Sequence, residues 1–382
     1  MPRNNKMNAL VIGSYGLGNV GDNACRDILV DWLRQRNMNV KCSHSPVDDS
    51  LIEWADLVVL GGGGLLYDSG EVISLRQSNA GICNKLLRSL FLVPAVQGLI
   101  QHRLARNILR RLPLITTNAA AIVDNYMSPI EVAHMSGKAT AGVALGTQGI
   151  YTDYGRERYA EVLSKLDLLT VRDPADKKVL ESIGVHPTEG IKVCEDLGWL
   201  VKLPNDTPAK YDIGWVLRWL ATPDEEYYQP IINTIVRLRK HGLTQCAQSF
   251  SRTDTCFLKH LAKKTGIPFV EYLDKDKAIN GLTNYRLVVT NRFHAALFSL
   301  LLRKPAIVAS TQYSSKSKRL LERLNLPYEP LTDVSELEDK ILKVWNKKGS
   351  IRINRTDLVF RALDNLALLD KLIRRADVKR PN

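Results

Sequence analysis

Short apolar runs alternate along the chain with longer stretches whose apolar positions recur every three or four residues, the pattern of an α/β protein with parallel sheets. In the first half this pattern predicts strands over 8–12, 39–43, 56–60, 141–145 and 168–171. Helices fit over 125–136, 156–166 and 22–36, the last with Ile28, Leu29, Trp32 and Leu33 on one face behind Asp22. A polar stretch with two prolines at 202–210 reads as a linker. Beyond it a second series predicts strands over 211–217, 243–248, 269–273, 287–290 and 306–309, with helices between them that include 294–302 and 316–324. A last helix is expected over 357–374, with Leu363, Leu366, Leu368 and Leu369 among its apolar positions. The organisation expected is two Rossmann-like, doubly wound domains over 1–204 and 210–350, with the helix and tail of 351–382 packing back on the first. Two such halves place a ligand cleft between them.

Composition narrows the class. With 382 residues, 45% of them hydrophobic and 24% charged, the chain is long enough for two ordinary cores and too apolar to be disordered. No apolar run approaches the roughly 18 residues of a membrane span. The polar start leads straight into a strand without a signal-peptide h-region, and the six cysteines stand singly, at 25, 42, 83, 194, 246 and 256. A reduced, cytoplasmic protein is expected, with neither a disulfide framework nor a metal site. The net charge is +13, and from 72 to 123 there are seven lysines and arginines and no acidic residue. Nucleic acid is disfavoured as a partner, because the stretch has few interleaved aromatics and no recognised module. Two readings of it stay open. The apolar run at 90–96, with Arg88 before it and Arg103, Arg106, Arg110 and Arg111 after, fits a peripheral contact with an anionic membrane, or a buried element flanked by solvated arginines.

Four constellations carry candidate chemistry. The first, Gly13-Ser14-Tyr15-Gly16-Leu17-Gly18-Asn19-Val20-Gly21-Asp22, joins a strand to a helix, where free N–H groups and the helix dipole favour anions. Gly16, Gly18 and Gly21 match the dinucleotide-binding spacing. However, Lys41-Cys42-Ser43-His44 stands where such a site needs an acid, which argues against NAD. The second, Gly61-Gly62-Gly63-Gly64 followed by Asp68, reads as a turn at a strand's carboxyl end that lets a bulky polar ligand approach the backbone. In the third, Arg172-Asp173-Pro174, Asp173 is placed to cap a helix with proline at its first position, leaving Arg172 to point into the cleft. The fourth, Asn291-Arg292-Phe293-His294, sets a guanidinium beside an imidazole at a strand end; Lys316 is a further candidate cation.

Taken together these elements resemble the polysaccharide pyruvyl transferase family. The matching signatures are Gly16-x-Gly18-Asn19-Val20-Gly21-Asp22-Asn23-Ala24, the glycine run with Asp68, Val171-Arg172-Asp173-Pro174 and Asn291-Arg292-Phe293-His294-Ala295, followed by Arg303-Lys304-Pro305-Ala306-Ile307-Val308. The resemblance implies a GT-B-like arrangement of the two domains and a donor, phosphoenolpyruvate, in the cleft. It implies transfer of the pyruvyl unit onto two hydroxyls of a sugar in a polysaccharide or lipid-linked oligosaccharide, with no cofactor and no metal. Arg172, Arg292 and Lys316 are then the donor-binding cations, and His294 the proton donor, since an imidazole titrates near neutral pH. Asp22 or Asp68 would take a hydroxyl proton or orient the acceptor, within a cleft lined by Gly16, Gly18, Asn19, Gly21, Gly63 and Gly64. The chain departs from the family in three places: Asn23 replaces an acid, Asp196-Leu197-Gly198-Trp199 replaces an Asp-Pro-Ala-Phe type of segment, and the basic stretch near 85–121 reads as an insertion. A GT-B glycosyltransferase using a nucleotide sugar and a non-catalytic glycan- or membrane-binding protein of the same fold are the alternatives. A location at the inner face of the membrane would follow from the peripheral reading of the basic stretch.

Overall fold

The computed structural model describes residues 6–15, 18–44, 47–68, 74–75, 115–116, 119–205, 207–218, 225–272, 274–309, 315–326, 336–346 and 353–379. The basic stretch at 76–114, with its membrane or acceptor reading, lies outside the described residues, as does Gly16.

The first half is a six-stranded, all-parallel sheet. Its strands are β1 (Asn8–Ile12), β2 (Asn39–Ser43), β3 (Leu57–Tyr67), β6 (Ala139–Gly149), β7 (Leu168–Val171) and β8 (Ile191–Val193), in the order β2-β1-β3-β6-β7-β8. Two further two-residue strands, β4 (Ser74–Leu75) and β5 (Ile115–Thr116), pair antiparallel apart from it. Strands β3 and β7 are buried along almost their whole length, because helices cover both faces. Those helices are α1 (Val20–Gln35), α2 (Asp49–Trp54), α3 (Ala119–Met135), α4 (Asp153–Leu163) and α5 (Pro174–Ser182). The second half repeats the plan in a five-stranded parallel sheet, β11-β10-β9-β12-β13, built from β9 (Tyr211–Val216), β10 (Gln245–Gln248), β11 (Phe269–Val270), β12 (Tyr285–Thr290) and β13 (Ala306–Val308). Its helices are α6 (Glu225–Lys240), α7 (Thr255–Thr265), α8 (Lys275–Gly281), α9 (Phe293–Leu301), α10 (Ser315–Arg323) and α11 (Leu337–Asn346), and α12 (Arg355–Lys379) follows.

Two helices tie the halves together through opposite ends of their apolar stripes. In α1, Val20 and Ala24 join the core around Phe250, Phe293 and Phe298, while Cys25, Leu29 and Leu33 pack under the first sheet. In α12, Leu358 and Ala362 enter that same second core, and Leu366, Leu369 and Leu372 pack on the first. Polar ties reinforce this: Val20 N donates to the Phe250 carbonyl at 3.1 Å, Arg319 pairs with Asp176 at 3.0 Å, and Arg323 pairs with the buried Glu195 through both its terminal nitrogens.

The strand order reverses between β1 and β3 in the first sheet, and between β9 and β12 in the second. At such switch points the crossovers leave in opposite directions and open a crevice beyond the carboxyl ends of the strands. The site occupies these two crevices.

One expectation is corrected here. Gly61, Gly62, Gly63 and Gly64 do not form a turn; they run inside β3 and pair with β6, and the ladder shifts register beyond Gly63. Gly62 and Gly63 have φ of 65° and 111°, which bends the strand where a residue with a Cβ would be strained. A Cβ on Gly63 would also lie 2.8 Å from Asp22 Oδ1, so the glycine makes room for that carboxylate.

Candidate active site

The first crevice is lined by the start of α1. Asn19 caps the helix, accepting from Gly21 N at 3.2 Å, and its amide donates to Asp22 Oδ2 at 2.7 Å. Asp22 is thereby held in the first turn, 9% exposed. Burial raises its pKa above the ordinary carboxyl range against the pull of His294, Lys316, Arg172 and Arg292. A buried carboxyl that holds its proton more readily than a free one, beside several cations, has the character of a proton acceptor in a reaction site.

The second crevice begins at the end of β9. The Asn291 side chain accepts from Arg218 N and donates to Arg218 O, stapling the end of β9 to the end of β12. Arg218 is solvent-accessible there; the surrounding protein and the neighbouring Arg292 charge together lower its pKa. Arg292 pairs through Nε with the buried Asp254, and stands at the start of α9, which has no side-chain cap. His294 lies in the first turn of that helix, its ring stacked on Phe298 at 5.9 Å between centroids.

Between the crevices a buried carboxylate holds the centre. Asp196, 1% exposed, takes Arg172 Nη1 on Oδ2 at 2.8 Å, and on Oδ1 meets His294 Nε2 at 3.3 Å, Gly198 N at 2.8 Å and Cys25 Sγ at 3.4 Å. Burial works against its ionisation, yet the His294 and Arg172 charges overcome that and hold the carboxyl far below the ordinary range. Arg172 is therefore not free in the cleft, as its place after β7 suggests, but locked under Asp196, with its guanidinium 4.4 Å from the Phe293 ring centre. Its Nη2 is buried without a hydrogen-bond partner among the described residues, one donor left over from the ion pair.

Lys316, in the first turn of α10, reaches across to Gln148 Oε1 at 3.1 Å, and the Gln148 amide donates to the Gly64 carbonyl. Burial and then the nearby Arg172 and Arg218 charges lower the lysine to about 7. Gly18 packs beside Arg252 of the second half. Asp68, the candidate acid after the glycine run, is buried at the end of β3. Its carboxylate accepts from Tyr151 N, Thr152 N and Thr152 Oγ1 at 2.7–2.9 Å, tying the loop after β6 to the end of β3. Asp173 caps α5, accepting from Ala175 N at 2.7 Å.

Thus Asp22, Arg172, Arg292, His294 and Lys316 converge with Asn19, Gly21, Gly63 and Gly64, whereas Asp68 anchors a loop. Cys25 and Arg218, which no motif marks, belong to the same centre, as does Asp196, which the sequence marks only as the start of the departing Asp196-Leu197-Gly198-Trp199 segment. Arg218 was within reach, because it follows the apolar strand at the switch point of the second sheet.

Gly21 fits His294 so closely that its replacement has a definite consequence. A Cβ there would lie 1.9 Å from His294 Nδ1 and 2.2 Å from Cγ. Gly21→Ala must displace the ring, and a shift of about 1 Å in a catalytic group costs on the order of 10²-fold in rate. Turnover is expected to fall by that factor, with donor binding followed by thermal shift retained. Normal turnover in this variant would show that the His294 position is irrelevant to the chemistry.

The sequence profile described as polysaccharide pyruvyl transferase matches residues 19–313. The chain belongs to the polysaccharide pyruvyl transferase family. The match takes in both crevices and every converging side chain except Lys316. No curated protein matches the sequence significantly. Solved structures show the fold. The UDP-GlcNAc 2-epimerase from Methanocaldococcus jannaschii superposes with a TM-score of 0.57 at 11% identity, covering 96% of this chain and 99% of its own. The UDP-GlcNAc 2-epimerase from Neisseria meningitidis, bound to UDP-GlcNAc, gives 0.55 at 11%, covering 96% and 100%. Both support a GT-B-like arrangement over nearly the whole chain. Among the described residues no helix is long and apolar enough to cross a membrane.

Proposed function

We propose that the protein transfers the pyruvyl unit of phosphoenolpyruvate to two hydroxyls of a sugar in a polysaccharide or lipid-linked glycan, forming a ketal and releasing phosphate. The observation that carries this reading is the gathering of Arg172, Arg218, Arg292, Lys316 and His294 from both halves around Asp22, with an Arg172 nitrogen that has no partner among the described residues and no side-chain cap on α9. Phosphoenolpyruvate carries a carboxylate and a phosphate of about −1.5 to −2 charge, and a site for it needs several cations and free N–H donors. The reaction needs one proton delivered to the vinyl CH₂ carbon and two removed from the sugar hydroxyls. The first hydroxyl adds to the carbon bearing the phosphate. The C–O bond to phosphate then breaks, the second hydroxyl adds, and the remaining proton leaves with phosphate. His294 supplies the vinyl proton, and Asp22, whose pKa burial raises, takes a hydroxyl proton. The protein itself supplies every acid and base in this scheme, in a cytoplasmic enzyme that works on a glycan at the inner membrane face.

The direct test is incubation with phosphoenolpyruvate and a panel of glycan acceptors, following phosphate release and product mass. Phosphoenolpyruvate, but not UDP-GlcNAc, is expected to raise the melting temperature. Stabilisation by UDP-GlcNAc alone would point instead to nucleotide-sugar chemistry on the same fold.

Lys316 gives this reading a pH signature. Its pKa of about 7 in the free site means that it is charged below neutrality and neutral above. Donor binding must take up a proton above that point, so KM for phosphoenolpyruvate is expected to climb above pH 7, at most about tenfold per unit. Lys316→Arg, which stays charged, should flatten the climb. An equally steep profile in that variant would exclude the lysine as its cause.

A further inference from the structure

We infer that Cys25, Asp196 and His294 form a three-ligand site for a thiophilic divalent cation such as Zn²⁺, whose occupancy silences proton transfer by His294. The six cysteines share no ligand spacing in the sequence, but the fold brings Cys25, from the second turn of α1, against groups 171 and 269 residues away. The distances are 3.4 Å from Cys25 Sγ to Asp196 Oδ1, 3.7 Å from Cys25 Sγ to His294 Nε2, and 3.3 Å from His294 Nε2 to Asp196 Oδ1. Tetrahedral zinc, with bonds of about 2.3 Å to sulfur and 2.0–2.2 Å to nitrogen and oxygen, sets its donors roughly 3.3–3.6 Å apart. The three edges match that figure closely.

Three ligand atoms of different type crowd one point at the centre. Asp196 Oδ1 accepts from Gly198 N and is met by Cys25 Sγ and His294 Nε2, which also face each other. A metal ion would replace the thiol and imidazole protons with two coordinate bonds and leave the Gly198 bond in place. Arg172 on Oδ2 orients the carboxylate from behind, as an outer-shell partner does. Its positive charge opposes the cation, which makes this a reversible site rather than a structural one. Soft sulfur with imidazole and carboxylate selects zinc over Mg²⁺ or Ca²⁺. Three protein ligands leave one position open. With a metal ion on Nε2 the ring can no longer become the doubly protonated imidazolium, so Nδ1 loses the readily given proton of a general acid. The regulatory half of the inference therefore rests on the pyruvyl-transfer reading, while the site itself does not.

The test uses Co²⁺ as a spectroscopic probe on the chelator-treated full chain. One equivalent is expected to give the intense visible bands of a four-coordinate ion and a thiolate charge-transfer band, all displaced by Zn²⁺ but not by Mg²⁺. Cys25→Ser should abolish the charge-transfer band and weaken binding at least about tenfold. Zinc X-ray absorption on the wild-type protein, which needs no variant, should read one sulfur and three nitrogen or oxygen ligands, the last of them water in the open position. Absence of binding, a six-coordinate spectrum, or a charge-transfer band that persists in Cys25→Ser overturns the site. In the transfer assay one equivalent of Zn²⁺ should stop phosphate release, a chelator should restore it, and Cys25→Ser should show no zinc sensitivity at whatever rate it retains. Binding of zinc without inhibition overturns the regulatory half. A protein that binds cobalt as described but never releases phosphate refutes the pyruvyl-transfer reading and leaves the site standing.

Discussion

Replacing His294 with alanine is expected to lower kcat for pyruvyl transfer by about 10²–10⁴-fold, the range a positioned proton donor contributes, while changing donor affinity little. The separation follows from how charge is distributed. The groups proposed to bind the donor, Arg172, Arg292 and Lys316, are held by Asp196, Asp254 and Gln148, so none depends on the imidazole for its position. Truncation leaves a ring-sized cavity beside Asp196 and Phe298 that is polar on one side, and free imidazole added to the assay should recover part of the lost rate. Steady-state kinetics with a thermal-shift measurement of phosphoenolpyruvate binding decide the matter. If kcat stays within about threefold of wild type, another group delivers the proton, and Asp22 becomes the first candidate. If instead donor binding collapses with turnover intact, His294 is a binding cation and nothing more.

Much of this fold is legible in the sequence because parallel strands covered on both faces read as continuous apolar runs, such as Leu57 to Leu60 and Leu168 to Val171. What escapes has local causes. The three residues of β8 alternate too briefly to register, and the glycines of β3 mimic a turn because the side chains that would mark a strand are missing where Asp22 and Cys25 press close. At the site, residues that share a strand end announce themselves, as Arg292 and His294 do. Asp196 does not. Its partners Arg172 and His294 lie 24 and 98 residues away, and its own segment is a short 3₁₀ turn with no period. Asp68 carries a task that its place beside the glycine run does not announce: it anchors the loop after β6 through Thr152. Motif spacing finds groups at strand ends, whereas the counter-charges that hold those groups come from across the fold.

Asp196→Asn tests that last point with the largest expected loss of stability. The substitution keeps size, shape and the bond from Gly198 N, but leaves Arg172, only 3% exposed, without its counter-charge. Removing one partner of a buried ion pair costs about 3–5 kcal/mol, because the remaining charge stays desolvated. The pH dependence identifies the cause. The folded-state pKa of Asp196 lies far below that of an unfolded aspartate, so its contribution is complete above about pH 5 and declines as pH falls through and below the ordinary carboxyl range. Denaturation followed between pH 3 and 7 should show a shallower acid slope in the variant, and the two stabilities should converge as pH falls. Function should split as well. With His294 no longer oriented by a carboxylate, kcat is expected to drop by on the order of 10²-fold. Phosphoenolpyruvate, itself an anion able to pair with the orphaned Arg172, should stabilise the variant more than the wild type. A variant that loses stability equally at all pH values, or that phosphoenolpyruvate stabilises less than the wild type, would place the importance of Asp196 in packing rather than in charge.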